Sequence, residues 1–248
     1  MGNLTNKVAL VTGGSRGIGA AIVKKLAADG ATVAFTYVNS EEKAQALANE
    51  IVSNGGNAFA IKANSGNTAD IKNAVDQTAE KFGKLDILVN SAGVSVYSVV
   101  DNADETLDAL NDLHTINTAG VAAGVRAATK YLGEGGRIIN IGSTFADRVP
   151  FAGFADYAAS KAALAAYSRG WAWDLGKKGI TVNTVHPGPT ATDMNPDNSD
   201  FSDVIKAGLA LGRYADPSEI ANVVAFIASP EASFVTGTTI TVDGGQNA

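Results

Sequence analysis

The stretch KVALVTGGSRGIGAAIVKKLAADG, residues 7–30, decides the architecture. Lys7 to Thr12 form a short, almost continuously apolar run of the kind that becomes a parallel strand covered on both faces. From about residue 17 to residue 29 the chain reads as a helix. Between them stand four glycines in seven residues, Gly13, Gly14, Gly17 and Gly19, a density that destabilises a turn unless something must approach the backbone closely. Gly13, Gly17 and Gly19 permit a tight turn, close approach of a diphosphate and close helix packing, with the anion at the helix N-terminus. The spacing is G-x-x-x-G-x-G, so the G-x-G-x-x-G dinucleotide pattern is not met. Gly13-Gly14-Ser15-Arg16-Gly17 also satisfies G-x-S-x-G, the nucleophile elbow of α/β-hydrolases, which would make Ser15 a nucleophile. That reading needs a histidine, of which only His114 and His186 exist, and an earlier strand-loop for its second oxyanion donor, which the first strand cannot have. A glycine-rich turn with no ligand is the third reading.

Outward from this unit the alternation continues. Runs at 31–37, 57–63, 85–90, 136–142, 180–186 and 238–244 read as strands. Helical stretches fall at about 41–54, 68–82, 103–131, 154–177 and 217–228. Repeated strand-helix-strand units imply an α/β, Rossmann-type doubly wound parallel sheet of about seven strands with helices on both faces. No linker divides the 248 residues, so one domain, 1–248, is expected. The stretch PGPTATDMNPDNSDFSD (187–203) lacks periodicity, and the region 187–210 is expected to form a mobile lid over a site at the C-terminal ends of the strands.

Composition removes several function classes. The net charge is −6 and no basic run of five occurs, which disfavours sequence-independent nucleic-acid binding. The absence of cysteine excludes thiolate catalysis, and with two histidines it leaves no expected metal site. No window has the length of a membrane span, and no signal peptide opens the chain. Gly2 is placed for myristoylation, but Asn6 stands where that signal needs Ser or Thr. A soluble cytoplasmic protein is expected.

Tyr157 and Lys161, in FADYAASKAALAAYSRGWAW (154–173), fall at i and i+4 on one helical face. An ammonium there favours the phenolate and lowers the phenol pKa towards the range useful in proton transfer. The plain alternative is a surface Tyr and a solvated Lys at helical spacing.

Taken together, Thr12-Gly13-x-x-x-Gly17-x-Gly19, Asn90-Ser91-Ala92-Gly93, Asn117, Ser143, Tyr157-x-x-x-Lys161 and Pro187-Gly188 resemble the short-chain dehydrogenase/reductases, in particular the branch similar to 3-oxoacyl-carrier-protein reductases and carbonyl reductases. The resemblance covers essentially the whole chain. It implies that Tyr157 is the general acid in ketone reduction and that Lys161 lowers its pKa and binds the nicotinamide ribose. It also implies that Ser143 donates a hydrogen bond to the substrate carbonyl and that Asn117 holds a water that refills the proton. Cofactor contacts carry over to Gly13, Ser15, Arg16, Gly17, Ile18, Gly19, Asn90, Ala92, Gly93, Pro187, Gly188, Thr190 and Thr192. Asn64, with Ser65 beside it, stands where the family usually has Asp facing the adenine amino group, and Ser91 replaces the second Asn of Asn-Asn-Ala-Gly.

An NAD site carries an acid about twenty residues beyond the loop. Here Tyr37, Val38, Asn39 and Ser40 occupy that place, and Arg16 can meet a ribose phosphate with Asn39 and Ser40, so NADPH is favoured over NADH. Val94, Tyr97, Phe145, Phe151, Phe154 and Met194 are expected to line an apolar pocket for a ketone or alcohol with hydrophobic substituents. The segment SPEASFVTGTTITVDGG (229–245) is similar to the family segment that builds homotetramers. The same branch contains cyclic-di-GMP-binding mediators of biofilm dispersal, and GGSRGIGAAIV, HPGPTATDMNP and SPEASFVTG resemble them; on that reading the nucleotide site senses rather than catalyses.

Overall fold

The computed structural model describes residues 4–102 and 106–248. Strand β1 (Val8–Thr12) is buried at every position. It pairs in parallel with β2 (Thr32–Tyr37) on one side and β4 (Ile87–Asn90) on the other, with Leu10 opposite Ala34 and Leu88. With β3 (Asn57–Lys62), β5 (Arg137–Ile141), β6 (Thr181–Pro187) and β7 (Thr239–Val242), the sheet has seven strands in the order β3-β2-β1-β4-β5-β6-β7. All six pairings are parallel.

Successive side chains of a strand face opposite sides, and each face carries its own helical layer. Val11, Phe35, Val89 and Ile139 pack against α1 (Gly17–Ala28), α2 (Glu41–Ser53) and α8 (Pro217–Ala228) through residues such as Ile22, Leu47 and Val224. Leu10, Leu88 and Ile138 pack against α3 (Thr68–Phe82), α5 (Val121–Ala128) and α6 (Ala155–Leu175) through Val75, Val125 and Leu164. Full burial of each such side chain contributes roughly 1.5–3 kcal/mol. The strand order reverses between β1 and β4, which opens a crevice beyond their C-terminal ends, where ligands bind in sheets of this kind.

The strands and most helices start and stop within about two residues of their expected places. The expected helix over 103–131 is different. Its first residues, 103–105, lie outside the described ones, and the remainder is divided into α4 (Leu107–His114), a π-helical turn at Thr115–Gly120, and α5. The π turn brings Gly120 so close to the β3–α3 loop that a Cβ there would stand 2.1 Å from the Ser65 carbonyl oxygen. Beyond β6, a short helix α7 (Ser202–Ala207) begins where the stretch expected to be irregular ends.

Candidate active site

Helix α1 begins at Gly17 with no side-chain cap at Arg16 and no acid in its first turn, so its leading N–H groups are left for an anion. Gly13 (φ +68°) and Gly17 (φ +53°) take backbone shapes that side-chain-bearing residues rarely adopt. A Cβ on Gly13 would stand 2.8 Å from the Ala92 Cα, and one on Gly19 2.2 Å from the Gly13 carbonyl oxygen. The loop is thus a bare backbone cradle, held in place by the Gly13 N–H donating to Thr36 Oγ1 at 2.9 Å. These features fit a dinucleotide diphosphate.

The cradle opens into a cavity of ≈ 960 Å³. Ser15, Arg16 and Ile18 line it beside the glycines, and Tyr37, Asn39 and Ser40 line the rim after β2. Asn64 and Ser65 enter after β3, and Ala92, Gly93 and Val94 after β4. The Asn64 side-chain oxygen already accepts from the Gly66 N–H at 2.9 Å and keeps one lone pair for a ligand. After β6 come Pro187, Gly188, Thr190, Thr192 and Met194, with Thr192 resting against the glycine loop. Lys43 of α2 and Asp193 form an exposed 3.5 Å ion pair between α2 and that segment.

At the other end of the cavity an aromatic wall runs up to the reacting groups. Tyr97 meets Phe154 edge-on at 5.8 Å between ring centroids, Phe154 meets Phe145 at 5.4 Å, and Phe145 meets Tyr157 at 6.1 Å. Phe151 packs obliquely on Phe145. Ser143, two residues beyond β5, accepts from the Phe145 N–H at 3.2 Å and stands near the Tyr157 phenol, whose pKa it draws down.

Lys161 is buried, and its ammonium donates to the Ile141 carbonyl at 3.0 Å. Among the described residues it has no carboxylate partner, and desolvation lowers its pKa to about 8. Gly93 makes room for it, since a Cβ there would stand 3.0 Å from Nζ. The net shift of the Tyr157 phenol runs opposite to the expected lowering. Burial raises the phenol above its ordinary value, and Ser143 only offsets part of that rise. Lys161 Nζ lies 5.8 Å from the phenol ring centroid and spends its hydrogen bond on the backbone.

Two expected site residues do not line the cavity. Asn90 is buried, and its Nδ2 donates to Asn140 Oδ1 at 2.8 Å, the first link of a chain through Ser168 to Thr184 that ties β4, β5, α6 and β6 together. Asn117 sits in the π turn with its side chain clasping Val94: Oδ1 accepts from the Val94 N–H and Nδ2 donates to the Val94 carbonyl, both at 2.9 Å. Its Nδ2 also donates to Ser160 Oγ at 3.0 Å, so both amide protons are in use. The side chain locks the Val94 loop to α6, and its Oδ1, which accepts one hydrogen bond, keeps a lone pair for a water. Phe201 and Ile205 line the cavity from the expected lid segment, and Gln246, outside every expected part of the site, lines it as well.

The triad that Ser15 would need is not assembled. His114 pairs with Asp156 on the surface at 3.2 Å. His186 is fully buried, its Nδ1 3.1 Å from Asp147 Oδ2, and burial lowers its pKa. No helix of the described residues is long and apolar enough to cross a membrane.

Comparison with known proteins agrees with this geometry. Residues 13–247 match the family model described as enoyl-(acyl carrier protein) reductase. The chain is 46% identical, over 98% of both chains, to the cyclic-di-GMP-binding biofilm dispersal mediator protein of Escherichia coli (strain K12). It is 39% identical, again over 98% of both, to a 3-oxoacyl-[acyl-carrier-protein] reductase of Synechocystis. A short-chain dehydrogenase from Burkholderia cenocepacia, solved in complex with NADP, superposes with a TM-score of 0.96 at 50% identity, covering 99% of this chain and 100% of that one. With the glycine cradle, the parallel sheet and the half-buried Tyr157 beside the buried Lys161 on one cavity, the chain belongs to the short-chain dehydrogenase/reductase family of NAD(P)-dependent oxidoreductases.

Proposed function

We propose that the protein reduces a ketone with apolar substituents to a secondary alcohol, reversibly, using NADPH. The observation that carries this reading is the Ser143, Tyr157 and Lys161 cluster at the meeting point of the glycine cradle and the aromatic wall. The cofactor supplies hydride at nicotinamide C4 when bound. The glycine loop and the α1 N-terminus hold its diphosphate, and Arg16, with Asn39 and Ser40, holds its ribose phosphate. Tyr157, kept protonated at neutral pH by burial, gives its proton to the carbonyl oxygen, and Ser143 donates a hydrogen bond to the same oxygen. The Lys161 charge stabilises the phenolate that forms. Segment 187–210 acts as a lid that shuts water from the reacting groups.

Trp173, Phe226 and Phe234 expose 88%, 50% and 101% of their surface, and Gly237, just beyond Phe234, packs on Ala172 of α6. These apolar groups support self-association to a homotetramer, working in the cytoplasm, where NADPH is regenerated. The cyclic-di-GMP-binding relative favours a second reading, in which the nucleotide site senses. A sensor has no use for a buried, unpaired lysine beside a phenol. NADPH oxidation followed by absorbance over a panel of aryl ketones and 3-oxoesters separates the two: turnover supports the reductase, and tight nucleotide binding without turnover supports the sensor.

A further inference from the structure

Gln246 reaches the cavity from the tail that follows β7, and it places a neutral amide beside an otherwise aromatic wall. The tail is held by its own contacts. Asp243 accepts from the N–H groups of Gly245 and Asn247, both at 2.9 Å, and Asn247 Nδ2 donates to the Thr144 carbonyl at 3.4 Å. Arg148 Nη1 donates to the Gln246 carbonyl at 3.5 Å. Gln246 Oε1 accepts from the Thr144 hydroxyl at 2.9 Å, which fixes the plane of the amide. Its Nε2 donates to no protein acceptor among the described residues, leaving two N–H groups for a ligand. Thr144 directly follows Ser143, so the amide stands on the Ser143 side of the cavity. The charged residues lining the cavity are Arg16, Lys161 and Asp193; Lys161 spends its hydrogen bond on the Ile141 carbonyl and no second cation lines the aromatic end, so the matching acceptor is a neutral oxygen.

We propose that Gln246 determines specificity: Nε2–H donates to a neutral carbonyl or ester oxygen a few bonds from the ketone being reduced, so ketones bearing such an acceptor are preferred over matched ketones without it. This assignment rests on the reductase reading above. A site built to donate to a substrate oxygen discriminates against the analogue that lacks it, because the donor is then left unpaired.

The test compares kcat and KM for ethyl benzoylacetate and for butyrophenone in wild type, Gln246→Leu and Gln246→Glu, with NADPH affinity read from nicotinamide fluorescence. The expected result is a loss of about 10-fold in kcat/KM for the ester in both variants, mainly in KM, and less than about 2-fold for the plain ketone, with NADPH affinity unchanged. Gln246→Glu keeps an oxygen for the Thr144 hydroxyl but has no N–H, so it separates recognition from mere anchoring of the tail, and it decides alone if Gln246→Leu fails to fold. Wild-type behaviour of Gln246→Glu on both substrates, or equal losses on both, overturns the assignment while leaving the reductase reading intact. Absence of wild-type turnover on either ketone refutes the reductase reading and takes the Gln246 assignment with it.

Discussion

Replacing Lys161 by Met should make the protein more stable while abolishing its activity. The ammonium is buried without a carboxylate, and its pKa falls from 10.5 to about 8 through desolvation. At roughly 1.36 kcal/mol per unit, that shift is a burden of about 3 kcal/mol on the folded state at pH 7. Met fills the same channel between Gly93 and Ile141 without a charge, and it forfeits the hydrogen bond to the Ile141 carbonyl, worth about 1 kcal/mol. The net gain is about 2 kcal/mol, a rise in Tm of roughly 4–8 °C for a chain of this size. The gain depends on pH. Between about pH 8 and 10.5 the unfolded chain holds a proton on Lys161 that the folded chain has released, so wild-type stability from this group rises across that window. The difference between Lys161→Met and wild type should therefore be largest at or below about pH 7 and nearly gone by about pH 10.5. Urea or thermal unfolding without cofactor at pH 7 and pH 10 measures this, and NADPH oxidation measures the loss of turnover. A variant no more stable than wild type at pH 7, or an advantage equal at both pH values, would refute the reasoning.

Three further outcomes follow from the site. Arg16→Ala removes the cation proposed for the ribose phosphate, so KM for NADPH should rise by about 10- to 100-fold while that for NADH changes by less than about 3-fold; equal effects would place Arg16 elsewhere. Gly19→Ala forces a Cβ to within 2.2 Å of the Gly13 carbonyl oxygen, so the loop must shift. Fluorescence titration should show NADPH affinity reduced by more than about 10-fold, and unfolding a loss of about 1–3 kcal/mol. In the pH profile of ketone reduction, kcat/KM should fall above about pH 8, because Lys161 of the free enzyme loses its charge there while Tyr157 stays protonated. A profile flat to pH 10 would detach Lys161 from the chemistry.

Much of this was legible in the sequence because the fold is written in local signals. Apolar runs such as Val8–Thr12 become strands buried on both faces, and Gly13, Gly17 and Gly19 mark a loop where backbone must be bare. What escaped depends on distant partners. The run from 107 to 128 has helical composition throughout, yet the approach of Gly120 to Ser65 inserts a π turn that no periodicity signals. Asn90 pairs with Thr12 at the foot of the glycine cradle, but Asn140, fifty residues away, turns its side chain into the sheet. Spacing placed Lys161 on the face of Tyr157, but it carried no information on desolvation or on the Ile141 carbonyl that competes for the ammonium. Gln246 reaches the cavity through Thr144, 102 positions earlier in the chain, and tail composition cannot announce such a contact.

The central claim is that Tyr157 delivers the proton in a reaction fed by NADPH. Its most direct test is single-turnover reduction of an aryl ketone by wild type and Tyr157→Phe, with NADPH affinity measured on the same samples. Loss of about 10³-fold or more in rate, with affinity for NADPH kept within about 3-fold, is the result expected of the acid. A rate within about 10-fold of wild type would contradict it, because a ring without a hydroxyl has no proton to give.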